Sequence, residues 1–466
     1  MKLLVIDSKH AHGLDLVMRA DRDGHDVRWF FPENDKNKWI GNGLTNKVKD
    51  FTPHLRWADL VVLTDNTIYL HNMTAARREG VPVFGATVES AEWELDRTHG
   101  MEMLRENGID VPAYEEFNTY DEAIKYVRKH DRPFVSKPSG DADKALSYVA
   151  QTPVDLLYML ERWKKNTKLK PPFILQEKIE GVEMAIGGWI GPDGWIDSCW
   201  CENWEFKKLC TGNLGCSTGE QGTVLRYVRS SKLAKQLLLP LTDDIRRTGH
   251  TGYVDVNCII DEQGTPWPLE FTMRPGWPTM NIQQCLHKGD CCEWMSDLTD
   301  GTASLKVDYD TVAIGVVLSV PDYPYSHLTR KEVVGIPIYG AEKVPVEHLH
   351  PCEMMACEAP QENGKHATCL GTAGDYVLVM TETGKSVKEA QKSVYRHLQS
   401  LTVPNSPMWR TDIGDRLRKE LPLLQKHGLA KGMSYQPTSS TELQIRRSTP
   451  SKNVSMQVGQ MQIIYV

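Results

Sequence analysis

Short β-rich runs alternate with helix-compatible stretches from the start of the chain, and this alternation limits the fold more than any other feature. Leu3–Ile6, Val27–Phe31, Leu60–Leu63 and Val81–Phe84 are the runs, with Leu14–Ala20 and Asn72–Glu79 lying between them. Strands separated by helices predict a parallel, doubly wound sheet. The loop after the first run, Ser8-Lys9-His10-Ala11-His12-Gly13, lacks the G-x-G-x-x-G phosphate turn. A dinucleotide site is therefore not expected there.

The chain continues for 466 residues in all, room for about three domains. Glu94–Asn107 reads as one amphipathic helix ending at Gly108, and a second helix is expected over Thr119–His130. Pro133–Pro138 reads as a strand and Pro153–Lys165 as a helix. Phe173–Ile179, Val182–Ile190 and Trp195–Glu202 form a strand series, the last two joined by the turn Gly191-Pro192-Asp193-Gly194. Tyr253–Ile260 and Pro268–Thr272 read as a hairpin across Asp261–Gly264. From Val312 to about residue 429 comes an α+β segment with a helix at Val387–Leu401. Residues 433–466 are rich in Ser, Thr, Gln and Lys and are expected to be largely disordered, with Gln462–Val466 a candidate strand.

Charge narrows the partners. Acidic residues number 61 against 54 basic, a net charge of −7, whereas a domain built to neutralise nucleic-acid phosphates is usually basic. The longest apolar run, near Val312–Val320, is far short of the ~18–20 residues that span a bilayer, and the N-terminus turns polar too early for a signal peptide. A cytoplasmic protein with small-molecule substrates, and without nucleic-acid or membrane partners, is expected. The 11 cysteines form no C-x₂-C pair. His348, His350 and Cys352 are zinc-type donors on one strand face, but no second ligand cluster accompanies them, so a strand with reduced thiols is the expectation.

Two groups of residues carry chemistry. Lys137 closes a strand and is followed, after Pro138, by the small-residue loop 139–144 (SGDADK). A lysine so placed can meet phosphate oxygens as a point charge, or simply be a surface lysine before a turn. Asp255 and Glu270 sit on successive strands of one predicted hairpin, several residues from its tip. Two hard carboxylates on one face suit Mg²⁺; the plainer alternative is a solvated hairpin face. Between them, Phe173–Glu183 (FILQEKIEGVE) is a strand running into a Gly turn. It can offer backbone groups to an adenine edge and Glu183 to ribose hydroxyls, or be an ordinary strand and turn.

The order of these elements, ending in Arg274-Pro275-Gly276, resembles the ATP-grasp ligases, and more narrowly the phosphoribosylamine–glycine ligase family. Four stretches carry the resemblance: Phe84–Phe117, Phe173–Glu183, Thr211–Thr223 (TGNLGCSTGEQGT) and Gly374–Arg416 with its Arg-Thr-Asp-Ile-Gly ending. It covers the chain to about residue 430. The resemblance implies an N-terminal α/β (pre-ATP-grasp) domain over 1–92 and an ATP-grasp domain over 93–305, with a small ATP-covering subdomain at 113–180. A C-terminal α+β domain over 306–430 and a tail over 431–466 complete the expected organisation. The sequence departs from the family in three places. The first loop carries His10 and His12 where the family is glycine-rich. Arg97 stands at the family's first ATP lysine. Glu270-Phe271-Thr272 stands where the family has a Glu-x-Asn metal pair.

From the resemblance, the cofactors are ATP and Mg²⁺ (or Mn²⁺). Lys137, Arg97 and Lys144 are expected at the phosphates, Gln176, Glu177 and Ile179 at adenine, and Glu183 at ribose. Asp255 and Glu270, with Thr272, are expected to hold the metal. Arg274 is expected to steady an acyl phosphate, and Gly212, Asn213, Thr218 and Gly219 to close over the substrates. The implied reaction joins glycine to phosphoribosylamine in purine biosynthesis, by a monomer or homodimer. A ligase using another aminated sugar or nucleotide, and an ATP-binding protein without turnover, are the alternatives.

Overall fold

A computed structural model of the chain describes residues 1–8, 10–35, 37–138, 147–166, 172–325, 331–361, 364–404 and 406–437. The N-terminal alternation gives the expected parallel sheet: β1 (Lys2–Ile6), β2 (Asp26–Phe30), β3 (Lys47–Val48), β4 (Leu60–Leu63) and β5 (Val83–Phe84), in the order β3-β2-β1-β4-β5. Helices cover both faces. α1 (Leu14–Arg22) packs on Leu3, Val5, Trp29 and Val62, and α2 (Leu70–Arg78) on Leu4, Ile6, Val61 and Leu63. Burial on both sides explains why β4 is apolar at every position. Strand order reverses between β1 and β4, so the loops after these strands, 7–13 and 64–68, open on the crevice where such sheets bind ligands.

The single helix expected over Glu94–Asn107 is two helices, α3 (Val88–Leu95) and α4 (Arg97–Glu106). Asp96 between them is extended and caps α4 by accepting from the His99 N–H. An Asp at that point favours a helix start over helix continuation, which the apolar spacing alone could not reveal. The break leaves Arg97 as the first residue of α4.

Next comes a four-stranded antiparallel sheet of β6 (Tyr114–Phe117), β7 (Phe134–Pro138), β8 (Tyr148–Val149) and β9 (Phe173–Glu177), in the order β6-β9-β7-β8. With α5 (Tyr120–His130) and α6 (Pro153–Asn166) it closes its own small core around Phe117, Ile124, Phe134, Leu156 and Phe173. The loop after β7 and the expected phosphate residue Lys144 lie outside the described residues.

The largest sheet has nine strands. It is built from β10 (Val182–Gly191), β11 (Gly194–Trp195), β12 (Trp200–Glu205), β15 (Gly222–Val228), β16 (Gly252–Ile260), β17 (Pro266–Thr272), β20 (Val312–Ser319), β21 (Leu349–Pro351) and β24 (Tyr376–Gly384). Three small pairs stand apart: β13 (Lys208–Cys210) with β14 (Leu214–Ser217), β18 (His287–Lys288) with β19 (Lys306–Val307), and β22 (Met354–Pro360) with β23 (His366–Thr372). The run expected as one strand over Trp195–Glu202 is split, and its second part runs on to Glu205. β15 pairs directly with β20, so the expected boundary at 305 and 306 crosses one continuous sheet.

One face of this sheet is mainly apolar, apart from the buried Arg226–Glu202 ion pair and Glu382. Met184, Ile186, Val224, Val254, Val256 and Ile314 pack there against α7 (Lys232–Leu237), α8 (Thr242–Arg247), α11 (Val387–Ser400) and α12 (Leu417–Lys426). The other face changes character along the strands. Trp189, Tyr227 and Tyr253 pack against α9 (Thr279–Gln284) and α10 (Glu293–Thr299), while Glu183, Asn203, Glu205, Asp255 and Asn257 share that face by the period of two. The packed chain also extends past the expected limit at 430. Met433 is buried, and the N–H groups of Val387 and Lys388 donate to the carbonyls of Ser434 and Tyr435. The candidate strand Gln462–Val466 lies outside the described residues. Among those residues no helix is long and apolar enough to cross a membrane.

Candidate functional site

The polar patch lies at the β10, β12, β16 and β17 part of the large sheet. Register sets its layout: Asp255 lies opposite Gly187 and Thr272, and Asn257 opposite Ala185 and Glu270. The two expected metal carboxylates thus share a face but sit diagonally rather than opposite each other. Gly187 makes room for this arrangement. A Cβ there would lie 2.0 Å from the Tyr253 hydroxyl, which donates to Asp255 Oδ2 at 3.0 Å. Asn203 Nδ2 donates to the same oxygen at 2.8 Å. Burial, reinforced by Glu205 nearby, pushes the Asp255 pKa up to about 7 against these two hydrogen bonds.

Lys207 is the hub of the patch. Its Nζ lies 2.9 Å from Glu183, 3.2 Å from Glu205 and 3.4 Å from Glu270. Burial opposes its charge, but the three carboxylates outweigh burial and hold its pKa well above the lysine value. Glu270 also accepts from Arg97 at 2.7 Å, and the Arg97 Nε donates to the Pro138 carbonyl at 3.2 Å. Lys137, at the end of β7, donates to the Leu269 carbonyl at 3.2 Å. Burial, with Arg97 and Lys207 close by, pushes its pKa down to about 7 despite Glu270. The small sheet, α4 and the large sheet therefore bring Lys137, Arg97, Glu270 and Glu183 together.

The donor set suits a hard divalent cation. Asp255 Oδ1, Asn257 Oδ1 and Asn203 Oδ1 are buried with no hydrogen-bond partner among the described residues, although such atoms normally have one. Their neighbours on that face, Glu270 and Thr272, add further oxygens. An all-oxygen group of this kind fits Mg²⁺ or Mn²⁺.

A second cluster lies where the N-terminal crevice meets the turn after β17. Arg274 pairs with Glu94 at 3.2 Å, while the other Glu94 oxygen accepts from the Met273 N–H at 2.7 Å and Asn66 Nδ2 at 2.8 Å. Glu94 thus fastens the 64–68 loop to the arginine. The first loop is wrapped on Asp7, whose carboxylate accepts from the Gly13 N–H, Trp29 Nε1 and the Thr64 hydroxyl. The Ser8 hydroxyl donates to Asp65. His12 stacks on His10 at 5.6 Å and meets Trp277 at a tilt of 54° at 4.3 Å, and Trp277 meets Tyr376 at 4.1 Å. Burial and the neighbouring His10 drive the His12 pKa well down, so its ring is neutral here.

Several expected residues are placed differently. The Glu177 side chain pairs with Arg132 at 2.7 Å and its N–H donates to the Ala113 carbonyl. Gln176 is buried with its Nε2 unpartnered among the described residues, and Ile179 is half-buried in the turn after β9. Gly212 and Asn213 do not line the patch; they hold the β13–β14 tip to the C-terminal segment. The Gly212 N–H donates to Asp412 at 3.0 Å, and Arg410 donates to Asn213 Oδ1 at 2.7 Å. Thr218 folds back on the Lys207 carbonyl, and Gly219 has a positive φ with open space around it.

Sequence reasoning missed Lys207, Glu205, Asn203, Asn257, Glu94 and Arg416. The first four were detectable as polar residues at alternate positions in apolar strands, Asn203-Trp204-Glu205 and Asp255-Val256-Asn257, with Lys207 just past a strand end. Arg416 donates to the carbonyls of Glu183 and Glu205 across a separation no local pattern reports.

No family model matches the chain. It is 24% identical over 352 residues to phosphoribosylamine–glycine ligase of Ralstonia nicotianae, covering 73% of this chain and 80% of that protein. To the protein of the same name from Streptococcus pneumoniae it is 24% identical over 438 residues, covering 90% of this chain and 100% of the other. The crystal structure of phosphoribosylamine–glycine ligase from Thermotoga maritima superposes with a TM-score of 0.67 at 18% identity, covering 89% of this chain and 100% of that one. This likeness shows the fold: a mixed α/β, multidomain ATP-grasp architecture.

Proposed function

We propose that the chain is an ATP-dependent carboxylate–amine ligase that forms an amide through an acyl phosphate, joining glycine to phosphoribosylamine. The observation that carries this reading is the meeting of Lys137 and Arg97 with Glu270, Lys207 and Asp255, cations and carboxylates drawn from different layers onto one sheet face. The likeness to proteins named phosphoribosylamine–glycine ligase supports the choice of substrates.

A glycine carboxylate oxygen attacks the γ-phosphorus and ADP leaves; the amine nitrogen then attacks the acyl carbon, loses a proton and expels phosphate. The first step gathers anions, so it needs fixed positive charge and little water. Lys137 and Arg97 supply that charge to the phosphates, with Lys144 as a third phosphate contact. A bound Mg²⁺ or Mn²⁺ would supply neutralisation of the triphosphate charge. Asp255, Asn257, Glu270 and Thr272 are the residues that would hold the ion. An arriving triphosphate offers Arg97 and Lys207 a new partner and so releases Glu270 for that task. Gln176 and Ile179 meet the adenine, Glu183 the ribose, and Arg274, oriented by Glu94, steadies the acyl phosphate. Thr218 and Gly219 stand at the base of the substrate loop.

The His10–His12–Trp277–Tyr376 aromatic cluster favours a second reading in which the chemistry is kept and the amine differs. A panel of amino acids and amines, scored by ADP release with glycine and phosphoribosylamine as the reference pair, separates these readings. Release dependent on both reference substrates supports the first. Glycine-dependent release only with another amine supports the second. No ADP release with any pair overturns both.

A further inference from the structure

Away from the polar patch, the turn between α1 and β2 meets the turn between β18 and α10. Asp23 and His25 come from the first turn, and Asp290, Cys291 and Cys292 from the second. Two overlapping triads result, His25–Asp290–Cys292 and Asp23–Asp290–Cys291, in each of which the ligand atoms lie within 4.8 Å of one another. His25 and Cys292 are buried. His25 Nε2 lies 2.8 Å from Asp290 Oδ2, and the Cys291 and Cys292 sulfurs are 3.3 Å apart. Backbone bonds fix the carboxylates: Asp290 Oδ1 accepts from the Cys292 and Glu293 N–H groups at 2.8 Å, and Asp23 from the Cys291 N–H at 3.2 Å.

We propose that His25, Asp290 and Cys292, with Cys291 as the fourth ligand, form a binding site for a zinc-class divalent cation that clamps the N-terminal sheet to the α10 side of the large sheet. The chemistry of the donors selects the ion. Imidazole, carboxylate and thiolates together suit zinc, whereas magnesium and calcium take oxygen alone. The spacing agrees. Two sulfurs each ~2.3 Å from a tetrahedral zinc lie roughly 3.8 Å apart, so the present sulfurs need to part by only about half an ångström. The Asp290 carboxylate is already oriented by backbone donors, the support that metal ligands ordinarily require. The ion takes the place of the proton shared by His25 and Asp290 and displaces the thiol protons, so uptake releases acid. A plain His25–Asp290 hydrogen bond above a capped turn would explain the same contacts without a metal, and the two differ in what they bind.

The test is equilibrium dialysis of the chelator-treated full chain against Zn²⁺, and a parallel titration with Co²⁺ followed by absorbance. The site predicts about one ion per chain, a sulfur-to-cobalt charge-transfer band in the near ultraviolet, and a rise in melting temperature on adding Zn²⁺. Cys292→Ser and His25→Gln should each weaken uptake by at least about tenfold, whereas Cys357→Ser should leave it intact. Wild-type protein that takes up no zinc, or binds cobalt without the sulfur band, overturns the proposal whether or not the variants fold. Unchanged uptake in folded Cys292→Ser protein overturns it as well.

Discussion

The two ends of the candidate cleft are built by different means. At the nucleotide end, charge stands on strands and a helix start: Lys137 closes β7, Arg97 opens α4, and Glu270 and Asp255 share a face of the large sheet. At the acceptor end, the groups stand on turns: His10 and His12 on the loop wrapped over Asp7, Asp65 on the loop after β4, and Arg274 and Trp277 on the turn after β17. Sheet-borne groups are positioned by backbone register, which a neighbouring substitution barely moves. Loop-borne groups are positioned by a few side-chain bonds and can be rewritten singly. Under the proposed function, the chemical step belongs to the sheet-borne groups and acceptor choice to the loop-borne ones.

The largest effect should come from Glu270→Gln, which removes a metal carboxylate and the partner of Arg97 and Lys207. Turnover should fall by roughly 100-fold at saturating Mg²⁺ with the melting temperature nearly unchanged. More than a tenth of wild-type ADP release would remove Glu270 from the metal site. Lys137→Ala comes next: a lost charged hydrogen bond of ~1.5–3 kcal/mol weakens ATP binding by about 10–100-fold and leaves the acceptor KM alone. Calorimetry showing an unchanged ATP Kd would return Lys137 to a structural role. Trp277→Ala should act in reverse, raising the acceptor KM by about tenfold with the ATP Kd unchanged, since it removes the centre of the aromatic cluster. A change in ATP affinity there would erase the division between the ends.

The smallest effect is one of pH. Asp255 has its pKa raised to about 7, so its carboxylate is mostly protonated below that value and mostly ionised above it. The Mg²⁺ concentration for half-maximal rate should be up to about tenfold higher at pH 6 than at pH 8, and Asp255→Asn should abolish that dependence. A flat Mg²⁺ requirement would take Asp255 out of the site.

The sequence revealed what short-range patterns encode. Four apolar residues at Leu60–Leu63 announced a strand buried on both faces, and Thr119, which accepts from the Glu122 N–H, began the expected helix. Lys137, Asp255 and Glu270 were visible because each is a charge set in or ending an apolar run. The pairing of Glu94 with Arg274, and of Arg416 with the carbonyls of Glu183 and Glu205, joins residues about 180 to 230 positions apart and has no local signature. Asp96 misled the helix assignment because an apolar stripe continues on either side of a cap. The ion pair of Glu177 with Arg132, two residues before β7, likewise has no local signature.

The central claim is that this sheet face activates a carboxylate by phosphorylating it. Its most direct test supplies the amino acid that supports ADP release with ¹⁸O in its carboxylate, together with the amine, and examines the released phosphate by mass spectrometry. The account predicts that each phosphate carries one ¹⁸O drawn from the carboxylate, because that oxygen bridges carbon and phosphorus in the acyl phosphate. Amide formation accompanied by unlabelled phosphate would contradict it.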